Sequence, residues 1–247
     1  PNADTFELDL GAGRRVVIPM DRGAQRRGVA GATGTEAQSE TGAVVWDGAV
    51  LLARRPARRP NEKRNVLELG AGCGLAGLAW ALTEDCNLTL TDRPHRLRAL
   101  RENARRNGVE ATVAALDWTR ALEDAEHGAS DVVLAADCVY DEALATPLLR
   151  TMSYAMRDGA VALVTVDEAN RRPTALKAFL RVAERAFSYF REESYGMEPR
   201  SRWSHGHDRE SIRLFVFRGP RLFDHQKPLR VVVAGPCGCG KTTVGRE

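Results

Sequence analysis

Residues 65–78 read NVLELGAGCGLAGL, and this stretch predicts the first strand, turn and helix of a nucleotide-binding α/β sheet. An apolar run of strand length comes first, and apolar residues at helical spacing resume at Leu75. Between them stand three glycines, Gly70, Gly72 and Gly74. Without Cβ atoms, they allow positive φ and let the backbone approach a ligand closely. The stretch by itself leaves three interpretations open: a dinucleotide site, an S-adenosylmethionine site, or a tight turn without a ligand.

The composition is typical of a soluble globular protein. The 247 residues are 43% hydrophobic and 28% charged, and the formal net charge of +3 is too small to indicate nucleic-acid binding. No apolar run approaches the roughly 20 residues of a membrane helix, and no signal peptide is recognised. Five cysteines without framework spacing favour a reducing compartment, so we expect a cytoplasmic protein, with the nucleus as the alternative.

The start of the chain predicts a β-hairpin. Thr5–Leu10 and Arg15–Met20 are β-rich and are joined by a Gly-Ala-Gly turn. Further on, apolar residues recur at helical spacing between Val44 and Leu52, which predicts a helix ahead of the first strand. We divide the chain into an N-terminal hairpin and loop (1–40), a main domain (41–219), and a linker with a short tail (220–247).

Six further segments predict strands, and helices are predicted between the earlier strands. The predicted strands are Asn87–Thr91, Ala111–Leu116, Ser130–Ala136, Ala160–Val166, Phe187–Tyr195 and Ile212–Phe217. The predicted helices run from Pro94 to Asn107, over Ala143–Met156 and over Thr174–Phe187. Right-handed crossovers make the first five strands parallel. The sequence therefore predicts an α/β fold with a doubly wound, seven-stranded, mostly parallel Rossmann-like sheet and an antiparallel hairpin at its C-terminal end.

Polar residues stand where four of the predicted strands end. They are Glu68–Gly74, Asp92, Asp117-Trp118 and Asp137–Tyr140. Asp92 comes 18 residues after Gly74, close to where such folds place the carboxylate that binds ribose hydroxyls. Ligands bind at the carboxyl ends of parallel strands, so we expect these residues to surround one site.

At these positions the chain resembles the seven-strand S-adenosylmethionine-dependent methyltransferases, and within them the family 16 protein-lysine methyltransferases. The matching motifs are Thr41-Gly42 with Val45-Trp46-Asp47, LELGAGCGLAGL at 67–78, Thr91-Asp92, Leu116-Asp117-Trp118 and the D-x-x-Y signature Asp137–Tyr140. The resemblance covers residues 40–218 and rests on the ordered set of motifs. It departs from the family at Arg93-Pro94, where relatives more often carry an apolar residue, and at 199–206, which matches no family feature.

The resemblance implies a role for each cofactor residue. Glu68 and the three glycines hold the methionine part of S-adenosylmethionine, and Asp92 accepts both ribose hydroxyls. Asp117 and Trp118 flank the adenine. The remaining implied cofactor contacts are Trp46 and Ala136. Structural interpretations without a ligand stay open for three of these residues. Asp92 also suits a helix N-cap, Trp118 suits a position in the hydrophobic core, and Trp46 suits a buried anchor for the helix that follows it.

Asp137 and Tyr140 carry the chemistry that the resemblance implies. Asp137 holds the lysine amine by a hydrogen bond and orients its lone pair. Tyr140 walls the lysine channel with its ring and offers its hydroxyl. A surface aspartate and a packing tyrosine after a strand are the alternative interpretation.

The tail carries a second motif that the methyltransferase does not use. Residues 229–247 lead from a short strand into Gly235-x4-Gly240-Lys241-Thr242, a phosphate-loop pattern that resembles the start of gluconate and shikimate kinases. The sequence stops five residues after Thr242, so we expect ATP binding only if a complete domain lies downstream. His205 and His207 have no third ligand nearby, so no metal site is predicted.

The combined prediction is a methyltransferase that uses S-adenosylmethionine to methylate a lysine of a protein substrate, with no nucleic-acid or membrane partner. One alternative is an enzyme of the same fold acting on a small molecule or another side chain. Another is the leading part of a fused ATP-dependent kinase. A scaffold without catalysis and a dinucleotide oxidoreductase are weaker, because the D-x-x-Y residues would then have no role.

Overall fold

In the computed structural model of the chain, the described residues are 5–19, 41–55, 62–120, 128–167, 173–193 and 212–221. Several sequence predictions fall outside these ranges and stay predictions. They concern the phosphate-loop motif at 229–247 and the pair His205 and His207. The predicted domain boundaries at residues 40 and 219 are likewise untested.

Seven strands form the main sheet. They are β3 (Arg64–Leu69), β4 (Cys86–Asp92), β5 (Ala111–Ala115), β6 (Ser130–Ala136), β7 (Met156–Asp167), β8 (Phe187–Glu193) and β9 (Ile212–Pro220). Their order is β5-β4-β3-β6-β7-β9-β8, and the first five are parallel. β9 runs antiparallel to both β7 and β8. The strand order reverses between β3 and β6, which creates the crevice where open α/β sheets bind ligands.

Helices cover both faces of this sheet, as predicted for a doubly wound fold. They are α1 (Asp47–Ala53), α2 (Leu75–Thr83), α3 (Leu97–Arg106), α4 (Glu142–Ala155) and α5 (Pro173–Ala186). Two short 3-10 helices, Thr41–Ala43 and Pro94–Arg96, precede α1 and α3. Within the described ranges, no helix is both long and apolar enough to cross a bilayer.

The predicted N-terminal hairpin is present and consists of β1 (Thr5–Gly11) and β2 (Arg14–Pro19). It packs over α2 and α3 rather than joining the main sheet. Val17 N donates to Asn107 Oδ1 over 2.7 Å, and Asn107 Nδ2 donates back to Val17 O over 2.9 Å. The hairpin thereby closes the core on the α1–α3 face, where Phe6 and Trp80 are fully buried.

Several element boundaries differ from the prediction, and two of these differences are informative. The first helix begins at Asp47, because Val44 and Val45 are buried by an irregular segment rather than by a helix. The strand predicted to begin at Ala160 begins at Met156, directly after α4. A register shift between Ser130 and Val132 accommodates this early start. Periodicity finds apolar residues that become buried, but it does not by itself say which backbone buries them.

Candidate functional site

A cavity of about 330 Å³ opens at the carboxyl ends of β3, β4, β5 and β6. Most of the sequence-predicted site residues line it, namely Trp46, Gly70, Gly72, Asp92, Asp117, Trp118, Ala136, Asp137 and Tyr140. The structure therefore brings together residues that are up to 94 positions apart in the chain, between Trp46 and Tyr140. Glu68 and Gly74 do not belong to the cavity wall.

The glycine loop forms one wall of the cavity, and its backbone needs glycine. Gly70 and Gly72 have φ values of 63° and 56°. A Cβ on Gly70 would stand 2.8 Å from Trp118 Cζ2, and one on Gly72 would stand 3.2 Å from Gly42 O. The loop backbone therefore lies in close contact with Trp118 and Gly42, which glycine at these two positions allows.

Asp92 ties the glycine loop to the end of β4. Its Oδ2 accepts a hydrogen bond from Gly72 N over 2.7 Å, and its Oδ1 accepts one from Arg93 N over 2.7 Å. Arg93 itself stands at the N-cap of the 3-10 helix, so Asp92 is one residue ahead of the cap position. A carboxylate has about four acceptor sites, so two bonds leave room for ligand hydroxyls. The predicted contact with ribose stays a prediction.

Glu68 is buried beneath α2 and points away from the cavity. Strand alternation places its side chain on the same face as Val66, and its Oε2 accepts from Gly77 N over 2.8 Å. Gly77 N is one of the free amides of the first turn of α2. Burial raises the pKa of the Glu68 carboxyl to about 8, although the hydrogen bond from Gly77 opposes this shift. The structure therefore places Glu68 as a support for α2 rather than in the cavity wall.

Gly74 shares that supporting position at the start of α2. It is the N-cap residue of the helix, with a φ of 80°. A Cβ there would stand 3.1 Å from Leu100 Cδ2, so the glycine allows α2 and α3 to pack closely. The cavity wall contains its two neighbours in the motif but not Gly74 itself.

Asp117 and Trp118 follow β5, and the Trp118 ring lies beside Gly70 of the glycine loop. Asp117 Oδ1 accepts from Thr119 Oγ1 over 2.7 Å and from Thr119 N over 3.0 Å, and the side-chain bond is the main cause that lowers the pKa of Asp117. Trp118 packs against the core of the α4–α5 face, as the core alternative requires, but it also lines the cavity. Its buried Nε1 donates to no group in the described part of the chain. A buried donor without an acceptor is uncommon and indicates a ligand acceptor at this position.

Asp137 comes directly after β6 and is held from three sides. Its backbone is left-handed, with a φ of 53°, and the residue is 5% exposed. Oδ2 accepts from Gly48 N over 2.9 Å, and Oδ1 accepts from Asp167 N over 3.1 Å. The Asp137 N–H donates to Thr165 O over 3.0 Å. The carboxylate is thus fixed by α1 and β7 at the same cavity that the glycine loop lines.

Gly48 makes this position of Asp137 possible. A Cβ on Gly48 would stand 2.4 Å from both Asp137 Oδ2 and Thr165 Oγ1. Only a residue without a side chain therefore lets α1 approach the end of β6. No pattern in the sequence predicted this contact, because it joins residues 89 positions apart.

Sequence reasoning missed Arg96, which lines the cavity. Asn103 is buried, and its Nδ2 donates to Cys73 O over 2.9 Å, which joins α3 to the glycine loop. Cys138 Sγ lies 3.3 Å from Leu69 O and would meet a Cβ on Gly70 at 3.0 Å. A residue pattern on one element does not reveal such contacts between elements.

Comparison with protein families adds to this geometry. The family described as "Lysine methyltransferase" matches residues 33–186. The chain belongs to this family. The mouse protein N-lysine methyltransferase METTL21A is 35% identical over 153 residues, which are 59% of this chain and 68% of the relative. The zebrafish (Danio rerio) protein of the same name is 35% identical over 130 residues, which are 50% of this chain and 59% of the relative.

Solved structures support the fold. The 16S rRNA methyltransferase RsmC of T. thermophilus, in complex with AdoMet and guanosine, is 16% identical with a TM-score of 0.52, over 88% of this chain and 45% of that one. A predicted O-methyltransferase of Agrobacterium tumefaciens is 21% identical with a TM-score of 0.52, over 69% of this chain and 79% of that one. The predicted methyltransferase fold is confirmed. The family and the fold are those of methyltransferases, and the predicted cofactor is S-adenosylmethionine.

The cavity residues fit this cofactor. The volume lies in the range of ligand sites, and glycine backbone forms one wall. Acceptors for hydroxyl and amine groups are present on Asp92 and Asp117, and an unpartnered donor is present on Trp118. Within the described ranges, no group of three or more His, Cys, Asp or Glu is arranged to hold a metal ion.

Proposed function

We propose that the chain transfers a methyl group to the side-chain amine of a lysine in a protein substrate. Two observations support the protein substrate: the family description names lysine, and the curated relatives are named as protein N-lysine methyltransferases. The observation that carries the chemistry is Asp137, a carboxylate held rigidly in the wall of the cofactor cavity with Tyr140 three residues on.

The backbone of Asp137 indicates that its position serves a function. A non-glycine residue at positive φ costs on the order of 1–3 kcal/mol and persists only where its surroundings hold it there. The hydrogen bonds from Gly48, Asp167 and to Thr165 supply that restraint. A carboxylate has about four acceptor sites, so the bonds from Gly48 and Asp167 do not by themselves prevent Asp137 from accepting from an incoming amine.

The chemical requirement on these residues is to present a neutral, correctly aimed amine. When bound, S-adenosylmethionine supplies a methyl group on a positively charged sulfur. A lysine has a reference pKa of about 10.4, so a neutral amine near pH 7.4 costs about 4 kcal/mol. Asp137 binds the amine through its N–H groups and points the lone pair along the transfer direction, which is a positioning effect. The lysine would give up its ammonium proton to Asp137 or to solvent before the new N–C bond forms, and the electron pair of the broken S–C bond would stay on the sulfur.

Tyr140 forms one wall of the channel that we propose for the lysine side chain. Its side chain lines the cavity beside Asp141 and Leu144. An aromatic ring packs along the lysine methylene chain and keeps water from the amine, which favours its neutral form. Tyr140→Phe keeps the ring, so we expect most of the transfer to survive in that variant.

The test is methyl transfer from labelled S-adenosylmethionine into the proteins of a cell extract. We expect a labelled protein that yields methyl-lysine on hydrolysis, and we expect Asp137→Ala to abolish the label. Asp158→Ala, which removes an exposed aspartate of β7, is the matched control and should label normally. Label found only in small molecules, or on another side chain, would contradict the proposal.

A pH–rate profile tests whether Asp137 also receives the proton. If it does, the profile of single-turnover transfer changes shape in Asp137→Asn, because the variant has lost the titrating group. A reduced rate with an unchanged profile would restrict Asp137 to holding and aiming the amine.

A further inference from the structure

Arg96 is a cationic residue of the cavity wall that has no role in the proposed methyl transfer. It ends the 3-10 helix that follows β4. Its Nε is buried and has no hydrogen-bond partner in the described part of the chain. A buried guanidinium N–H without an acceptor is unfavourable, so this one indicates an anionic acceptor that a ligand brings.

The packing of Arg96 places its guanidinium beside the glycine loop. Arg96 Nε lies 2.7 Å and Cζ 3.3 Å from the point where a Cβ on Gly42 would stand. Gly42 O in turn lies 3.2 Å from the corresponding point on Gly72. Burial raises the pKa of the Cys73 thiol to about 12, and the positive charge of Arg96 acts against that shift. Arg96, Gly42 and the loop at 72–73 thus form one continuous end of the cavity.

This end is separate from the lysine end. β4 and β6 flank β3 on opposite sides, so their ends are two strand spacings apart, about 10 Å. Arg96 follows β4, whereas Asp137 follows β6. An acceptor for Arg96 is therefore expected on the cofactor rather than on the substrate lysine.

We propose that Arg96 binds the α-carboxylate of the methionine part of S-adenosylmethionine. This inference rests on the assignment of the cofactor. The α-carboxylate is the anionic group of that molecule, and the planar fork of a guanidinium matches a carboxylate with two parallel hydrogen bonds. Arg96 then makes the site selective for cofactors that carry this carboxylate.

The experiment compares two ligands that differ only in the carboxylate: S-adenosylmethionine and decarboxylated S-adenosylmethionine. Titration calorimetry gives the Kd of each for the wild type and for Arg96→Gln. We expect Arg96→Gln to weaken S-adenosylmethionine about 10- to 100-fold, as for a lost charge-assisted bidentate contact, and to change the decarboxylated ligand less than about threefold. Arg98→Gln removes an exposed arginine of α3 and should change neither Kd.

A second variant keeps Arg96 but shifts the position of its guanidinium. In Gly42→Ala, the new Cβ would displace the guanidinium, so it should weaken S-adenosylmethionine selectively, as Arg96→Gln does. Equal weakening of both ligands in Arg96→Gln, or weakening of neither, would overturn the assignment. Failure of the wild type to bind either ligand is a different result, because it would remove the cofactor itself and the proposed function with it.

Discussion

The two ends of the cavity differ in which hydrogen-bonding groups already have partners. At the end of β6, both oxygens of Asp137 accept backbone N–H groups. At the cofactor end, two buried donors, Trp118 Nε1 and Arg96 Nε, have no acceptor in the ranges that the structure describes. The Asp137 carboxylate is therefore positioned before any ligand arrives, whereas the two nitrogen donors at the cofactor end still need an acceptor from a ligand. Changes at the first should alter transfer, and changes at the second should alter binding.

The largest expected effect comes from Gly48→Ala, at the end of the cavity that contains Asp137. The new Cβ would stand 2.4 Å from Asp137 Oδ2, so the carboxylate must leave its position. We expect single-turnover methyl transfer to fall by about 10²- to 10⁴-fold, the range for a lost catalytic group. The Kd for S-adenosylmethionine, measured by calorimetry on the same sample, should change little. Loss of binding in step with transfer would show that the two ends are not separate.

Glu68→Gln tests the buried acid that lies outside the cavity. Below pH 4.5 the Glu68 carboxyl is protonated in both states, and between 4.5 and about 8 the folded state keeps a proton that the unfolded state releases. Stability should therefore fall with rising pH over that window, by about 1.4 kcal/mol per unit for one proton, and the slope should end above it.

The Gln variant lacks this titration, so urea unfolding should find it more stable than the wild type at pH 8.5 by a few kcal/mol. The two proteins should converge near pH 4.5. Glu110→Gln, at an exposed glutamate, is the control. Parallel stability curves for Glu68→Gln and the wild type would contradict the buried-acid account.

Trp118→Ala sharpens the comparison from the cofactor end. It removes both the ring that contacts Gly70 and the unpartnered Nε1 donor. We expect the Kd for S-adenosylmethionine to rise about 10- to 100-fold, in the range of a lost aromatic contact plus a hydrogen bond. Trp118→Phe separates the two contributions, because it keeps a ring without the donor. An unchanged Kd in Trp118→Ala would show that Trp118 has only a structural role.

Asn103→Ala should give the smallest effect. It removes the buried hydrogen bond from Asn103 Nδ2 to Cys73 O, which is worth about 1–2 kcal/mol of unfolding free energy. Because this bond anchors the glycine loop, the Kd for S-adenosylmethionine should also rise a few-fold. Asn87→Ala, at an exposed asparagine of β4, provides the comparison in the same unfolding and binding assays. Equal behaviour of the two variants would remove the anchoring role.

The fold and the strand-end residues were predictable because they depend on local patterns. Buried parallel strands read as short apolar runs, and a carboxylate one residue past such a run is placed at the sheet edge by topology alone. Asp92, Asp117 and Asp137 all reached the cavity for this reason. Glu68 stands inside its strand instead, and two-residue alternation turns it toward α2 with Val66. The alternation of side chains along β3 could therefore have predicted from the sequence that Glu68 faces α2.

Other features depend on contacts between elements and have no local signature. Gly48 matters because α1 lies against the end of β6, and Arg96 matters because Gly42 leaves space for its guanidinium. A lone glycine in a helix and an arginine in an Arg-rich helix start are compatible with many environments. Only the packed structure shows which atoms they meet.

The most direct test of the separation between the two ends is calorimetric titration of Asp137→Asn with S-adenosylmethionine, with single-turnover methyl transfer measured on the same protein. The substitution keeps the size of the side chain but replaces one oxygen that accepts a backbone N–H. We predict a Kd within about threefold of the wild type and a transfer rate lower by about 100-fold or more. A Kd that weakens as much as the rate falls would contradict the account, because Asp137 would then belong to the cofactor site.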